Sequence, residues 1–329
     1  MNSKENYLRM LSGEIPEFVP SYFDPWGAPV GEELLTPVSA PNGPVVTSIG
    51  VEYIGSPDNN WGAMPTPGKI VVSDITKWRD QLKIKDVSDW DWESYYTKKL
   101  EKIDRSKFTV SAGGGDYFLT LVSLMGFDGA FLAMYEEPDE VIAMLEHISE
   151  FYTLILKKQM QYLKPDLCSI MDDDSGYRAP FFSVEMYQKF FKPFHKKHAD
   201  IGMENGCYIT RHDCGKSEQF IDDWLDIGIR AWGPAQITND WKGIKKKYGN
   251  RLSLEGCWDN QGKFSTPLVS DQELKDALAD YVDTLAPGGG FVFSARIAGE
   301  PEDPVAIEKR AIIKNFYEDY VRNYYKTHS

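Results

Sequence analysis

From residue 108 onward, short apolar runs alternate with long amphipathic stretches, and no other feature of the chain limits its fold as much. "FTVSAGGG" (108–115) is a strand ending in a glycine turn. "PDEVIAMLEHISEFYTLILKKQMQYL" (138–163) has proline in its first turn and apolar residues at helical spacing throughout. "DLCSIMDDDSG" (166–176) is a buried-type strand running into acids, and "SVEMYQKFFKPFHKKHADIGMENG" (183–206) is helical, with Ser183 as its cap and a bend at Pro193. The same alternation continues through "CYITRHDCGK" (207–216), "SEQFIDDWLDIG", "IRAWGP", "DWKGIKKKYG", "LSLEGCWD", "SDQELKDALADYVDTLAPGGG" and "FVFSARIAG". Strands that each follow a helix imply a parallel sheet with crossover helices, and about eight such units imply a closed (β/α)8 barrel of the TIM type. The first strand is expected in "EFVPSYFDPWG" (17–27), and a β-rich insertion with turns at "GSPDNN" and "MPTPGK" is expected over 46–72. With no repeat, low-complexity tract or linker, residues 1–329 read as one domain with an N-terminal elaboration.

Composition narrows the function classes. A net charge of −14 and a pI near 4.9 exclude an ordinary nucleic-acid partner, which calls for a basic face. The basic run "KGIKKKYG" (242–249) reads as the solvated side of a helix. The four cysteines are scattered, without a CxxC pair, and the N-terminus is an amphipathic helix start rather than an export signal. Neither pattern nor length supplies a membrane span. A soluble cytoplasmic enzyme with no nucleic-acid or membrane partner is the expectation.

In a parallel barrel the working residues lie at the C-terminal ends of the strands. Read in order, those ends carry Tyr22 and Asp24, Asp116, Asp172 to Asp174, His212 with Cys214, Trp232, Glu255 with Cys257, and Arg296. Residues i and i+2 of a strand point to the same side, so His212 and Cys214 present an imidazole and a thiol to one region. Glu255-x-Cys257 repeats the arrangement two strands later. Imidazole, thiolate and carboxylate are zinc ligands, and three of them with an open fourth position mark a catalytic site. Cys257 also suits a plain buried hydrophobe, and Cys168 and Cys207, inside apolar strands, suit the core. Asp172 and Asp174 share one face of their segment while Asp173 takes the other. The pair is suited to binding substrate, to acid–base work, or to capping the next helix. The "DDDSG" run lacks the Thr or Val of a haloacid dehalogenase nucleophile loop, and no P-loop, GxSxG, HExxH or GxGxxG after a strand occurs.

"MNSKENYLRMLSGEIPEFVP", "GGGDYFLTLVSLMGFDGAFLAMYEEPDEV", "MDDDSG", "RHDCGKSEQFIDDWLDIGIRAWGP", "YGNRLSLEGCWD" and "APGGGFVFS" together resemble the uroporphyrinogen decarboxylase superfamily over nearly the whole chain. The resemblance implies a TIM barrel and two possible branches, cofactor-free porphyrinogen decarboxylases and the corrinoid-dependent methyltransferases of anaerobes. The decarboxylases open with an arginine-rich loop that grips propionates; here "PSYFDPWGAPVGEELL" has no arginine. The methyltransferases use His-x-Cys and a distant cysteine as zinc ligands, and His212 and Cys214 match the first two. Where the last cysteine is expected, after "GGGFVFS", stands "ARIAG", with no thiol, which leaves Glu255 or Cys257 as substitutes or the metal lost.

The expectation on this resemblance is a zinc methyltransferase of the O-demethylase type. It would move a methyl group from a small donor to the cobalt of a separate corrinoid protein, which carries the cobalamin. Asp172 or Asp174 would handle the proton, and His212, Cys214, Glu255 and Cys257 are the candidate metal ligands. Aromatics are abundant near the expected mouth, among them Trp26, Trp61, Tyr117, Tyr177, Phe181, Phe182, Trp232 and Trp258. That setting suits a methoxylated aromatic, with Trp26, Tyr177 and Trp232 against the ring. Arg296 pairs with a ring carboxylate or ties down its loop. A decarboxylase or other metal-free lyase on the same barrel, or a non-catalytic binding homologue, are the alternative readings.

Overall fold

Each alternating segment forms the element its period demands. A computed structural model of the chain describes residues 1–23, 27–29, 35, 37 and 39–328. In chain order the strands are β1 (Gly27–Pro29), β2 (Val45–Val46), β3 (Glu52–Ile54), β4 (Met64–Pro65), β5 (Thr109–Gly113), β6 (Leu167–Met171), β7 (Tyr208–His212), β8 (Ile229–Ala235), β9 (Ser253–Gly256) and β10 (Phe291–Val292). β1 and β5 to β10 form one parallel sheet in the order β1-β5-β6-β7-β8-β9-β10. Beyond β10, Ser21 makes a parallel bridge to Phe293, with Phe293 N–H on Pro20 O at 2.8 Å and Tyr22 N–H on Phe293 O at 3.3 Å. Residues 20–29 therefore touch both edges of the sheet: Ser21 beside β10, Gly27–Pro29 beside β5. The result is an α/β fold of the TIM-barrel type. Among the described residues the ladder has seven strands and this bridge, where the sequence led us to expect eight full strands.

The β-rich insertion is a three-stranded antiparallel sheet, β2-β3-β4. It is tied to the helix Phe118–Met125 through the Tyr53 hydroxyl on Ser123 Oγ (3.3 Å), and the segment after it through the N–H groups of Val71 and Val72 on Leu124 O (both 3.0 Å).

Period-2 alternation sorts the strand side chains into two layers. Leu167, Ala231 and Val292 face inward from their strands and pack against Tyr7, Met10 and Leu11 of the helix Ser3–Leu11. That helix plugs the barrel floor. Its start is fixed by a capping box between Asn2 and Glu5, and each of its three buried apolar side chains, Tyr7, Met10 and Leu11, contributes about 1.5–3 kcal/mol of burial. Ile170, Ile209, Leu254 and Phe291 face outward into the main core beneath the surrounding helices. Pro138–Leu163 forms as one helix with its proline in the first turn. The 183–206 segment is two helices rather than one bent helix. Val184–Phe190 is capped by Ser183, and Lys192–Glu204 begins afresh with Pro193 in its first turn, where a missing N–H costs nothing. Among the described residues no single helix is long and apolar enough to cross a membrane.

Candidate metal centre

β6 and β7 pair in parallel with Met171 opposite His212, and that register sets the site. Past it the two strand ends run on as Asp172-Asp173-Asp174 and Asp213-Cys214. Their side chains alternate between the mouth and the helix layer, and Arg211, one residue before His212, takes the outer side. On the mouth side stand Asp173, His212 and Cys214, whose donor atoms all lie within 4.8 Å of one another. His212 Nε2 is 3.7 Å from Asp173 Oδ1 and 3.9 Å from Cys214 Sγ, and Cys214 N–H donates to Asp173 Oδ1 at 2.8 Å. Zinc bonds of 2.0–2.3 Å in a tetrahedron require ligand separations of about 3.3–3.8 Å, so the nitrogen, sulfur and oxygen have to close in by a few tenths of an ångström or more to hold the ion. The mouth is wet, with the His212 and Asp173 side chains 42% and 35% exposed.

The group's own electrostatics favour the neutral forms of both its nitrogen and its sulfur. Burial, and then the neighbouring Asp173 carboxylate, push the Cys214 thiol up to about 12. His212 is lowered by desolvation against the pull of Asp173, which keeps its imidazole neutral and able to ligate. A dication reverses the balance at sulfur, because it stabilises the thiolate directly.

On the helix side the remaining members form a buried charged network. Asp172 accepts the N–H groups of Tyr117, Phe118 and Leu119, each at 2.9 Å, at the start of the helix Phe118–Met125, and meets His195 Nε2 at 3.3 Å. Asp174 and Asp213 both bind the Arg211 guanidinium, and Ser217 Oγ donates to Asp213 Oδ1 at 2.7 Å. Gly215 closes the turn after Cys214 at φ +84°, where a Cβ would collide with the Ser175 carbonyl and come within 2.7 Å of Gly176 O.

Deeper in the barrel, Glu255 leans across Gly233, the partner of His212 on β8; a Cβ on Gly233 would lie 3.0 Å from Glu255 Oε2. The carboxylate accepts the Tyr7 hydroxyl at 2.5 Å and the Tyr22 hydroxyl at 3.0 Å, which links the floor helix to the mouth. Desolvation raises its pKa although both phenols favour the charged form. Asp116, buried after β5 with Thr120 Oγ1 on its Oδ1 at 2.8 Å, is pushed up to about 7 by burial and then by Asp172.

The sequence model of the family described as Uroporphyrinogen decarboxylase (URO-D) matches residues 79–297. The chain belongs to the uroporphyrinogen decarboxylase family. Among solved structures, a methyltransferase from Methanosarcina mazei superposes with a TM-score of 0.60 at 16% identity, over 96% of this chain and 99% of that one, a likeness of fold. No curated protein matches the chain.

Within this uroporphyrinogen decarboxylase fold, the residues singled out from sequence separate into two groups. His212 and Cys214 come together as expected, but their third partner is Asp173. Glu255 stands outside the group and is committed to two phenols. Cys257 is turned away from the mouth: at φ +62° the backbone reverses, and the buried thiol sits in the core among the helices, where Lys245 and Tyr281 are its electrostatic neighbours. Asp172 and Asp174, expected to do the acid–base work, are 1% and 0% exposed and serve the helix cap and the ion network instead. Trp232 is likewise corrected: it pairs with Arg211 on the outer face, packs edge-on against Trp224 and donates its indole N–H to Asp213 O at 2.8 Å. Tyr117, Phe182 and Trp258 are buried too.

Tyr177 and Phe181, on the loop after Asp174, and Trp61 remain exposed, as does Arg296. Tyr22 exposes half its surface but turns its hydroxyl in to Glu255, where desolvation and then the Glu255 charge push the phenol up while the Arg296 charge pulls it back. Trp26 lies outside the described residues. Asp173 was legible only as the odd member of the acid run; nothing short of the β6–β7 register says which parity faces in.

Proposed function

We propose that the protein is a methyltransferase of this family, carrying a methyl group from a methoxylated aromatic to the cobalt of a separate corrinoid protein. A zinc ion held by Asp173, His212 and Cys214 would serve the reaction. The observation that carries the reading is the convergence of one carboxylate, one imidazole and one thiol at the C-terminal mouth, their donor atoms within 4.8 Å of one another and of types that zinc takes. The fold shared with a methyltransferase and the absence of arginine from residues 20–35 support the same branch.

Bound there, zinc supplies Lewis acidity toward the ether oxygen of the donor. The chain's residues do the rest. His212 offers a neutral imidazole, Cys214 a sulfur whose proton leaves on metal uptake, and Asp173 a carboxylate already held by the Cys214 N–H. The carbon–oxygen bond of the ether would break as the methyl passes to the partner's cobalt, which would supply the electron pair, and the phenolate would take its proton from solvent at the exposed mouth. Tyr177, Phe181 and Tyr22 are the exposed rings near it that can receive an aromatic donor.

Two measurements test the reading. Purified protein should hold about one zinc per chain and lose it in Cys214→Ala, and with a reduced corrinoid protein and methoxybenzenes it should form methylcobalt and free phenol. Turnover of methanol or methylamines alone would refute the aromatic donor. Full activity in metal-free protein would refute the zinc chemistry and favour a lyase.

A further inference from the structure

Seven positions in two runs, 172–174 and 211–214, alternate between two jobs, and this alternation carries an inference that rests on the metal reading. Asp173, His212 and Cys214 face the mouth, while Asp172, Asp174, Arg211 and Asp213 face the helix layer. The outer four are 0–2% exposed. Arg211 Nε donates to Asp213 Oδ2 at 3.1 Å, Nη2 reaches both Asp174 Oδ2 and Asp213 Oδ2, and Nη1 stands 3.4 Å from His195 Nδ1. His195 in turn meets Asp172. The guanidinium lies over the Trp224 ring, 5.2 Å from its centroid.

This network is a poor device for stability. Removing a guanidinium and its carboxylates from water costs several kcal/mol per ion, roughly what their attraction returns, and well-packed apolar replacements are often neutral or stabilising. It is also incompletely satisfied, since Asp174 Oδ1 has no hydrogen-bond partner among the described residues. What it does achieve is geometric. Asp174 belongs to the segment after β6 and Asp213 to the segment after β7, and one rigid fork holds both. Both carboxylates that the fork holds lie one residue from a candidate ligand.

We infer that Arg211, with Asp174 and Asp213, is a positioning device that sets the separation of Asp173 from His212 and Cys214. It touches neither metal nor substrate. The partners of metal ligands typically carry 10–100-fold in metal affinity, and the Arg211 fork does so here by holding two backbones in register.

The test replaces the network as a unit, Arg211→Met with Asp174→Leu and Asp213→Asn, so that no buried charge is left unpaired. Cobalt(II) titrated into metal-free protein reports affinity through the thiolate-to-cobalt absorption of Cys214, and amide hydrogen exchange at Cys214 reports its bond to Asp173 without any metal. The triple variant should melt within a few degrees of wild type. It should bind cobalt about 10–100-fold more weakly and lose protection at the Cys214 amide. Affinity and protection both equal to wild type would overturn the inference. Should the wild type show no thiolate–cobalt absorption, the metal reading falls separately, and the exchange measurement alone decides the positioning role: protection lost in the variant sustains it, protection retained ends it. If the triple variant fails to fold, the network is a stability element and the inference is wrong. Arg211→Lys, which keeps the charge without the fork, should fall between wild type and the triple variant in cobalt affinity.

Discussion

Replacing Asp172 by alanine separates its two possible roles, proton donor and structural cap. The carboxylate accepts three backbone N–H groups at 2.9 Å and faces His195 at 3.3 Å, with 1% of its surface exposed. Each donor left buried without a partner costs about 1–3 kcal/mol. Loss of a helix cap by itself measures about 0.5–2 kcal/mol, and a hydrogen bond to a charged group, as from neutral His195, about 1.5–3 kcal/mol. Because the first-turn N–H groups relax partly toward other acceptors, the combined loss falls near the lower sum, about 2–5 kcal/mol. An unfolding entropy of about 2.1 cal/mol/K per residue gives roughly 0.7 kcal/mol/K for the 329-residue chain, hence a melting temperature about 3–7 °C lower.

The pH dependence follows from the direction of the shift. Desolvation on its own raises Asp172, but the His195 hydrogen bond, the charges of His195 and Arg211 and the Leu119 N–H outweigh it, so its pKa is lowered in the folded protein. A lowered carboxyl stabilises the fold above its unfolded pKa of about 3.9, and the benefit disappears as pH falls through the folded value. The gap between wild type and Asp172→Ala should therefore be constant near neutrality and close only below about pH 4. Paired urea melts at pH 7 and below pH 4, with cobalt uptake on the folded fraction, measure this. A variant within about 1 kcal/mol of wild-type stability that has lost methyl transfer would refute the structural assignment and restore Asp172 as a reacting acid.

Gly215→Ala should lose at least about 2 kcal/mol, because it adds a left-handed penalty of about 1–2 kcal/mol to a collision with the Ser175 and Gly176 carbonyls; denaturant titration checks it, and cobalt affinity should fall with it. Tyr7→Phe removes a hydrogen bond to a buried carboxylate, a loss of about 1.5–3 kcal/mol. Since that bond favours ionised Glu255, whose pKa is already raised and rises further without it, the variant's deficit should widen as pH rises through the folded values and be smallest below them, which melts across pH 4–9 would show.

Local periodicity was enough for the architecture. Apolar runs of strand length between amphipathic helices permit little besides a parallel sheet wrapped in helices, and the i, i+2 spacing of His212 and Cys214 puts both on one side of whichever strand carries them. A period of two, however, states which residues share a face and not which face is inside. Asp172 and Asp174 do share one, as their spacing requires, but the pairing of Met171 with His212 turns that face toward the helices and leaves Asp173 in the mouth. The same ambiguity put Trp232 in the site when its pairing with Arg211 makes it a core residue. Cys257 follows Glu255 at the spacing that placed Cys214 beside His212, yet a positive φ at Cys257 reverses the chain and ends the alternation. Relative facing is a property of neighbouring residues and so belongs to the sequence; absolute facing depends on register with a strand some forty residues away and on a floor helix at the far end of the chain, and only the folded barrel brings those together.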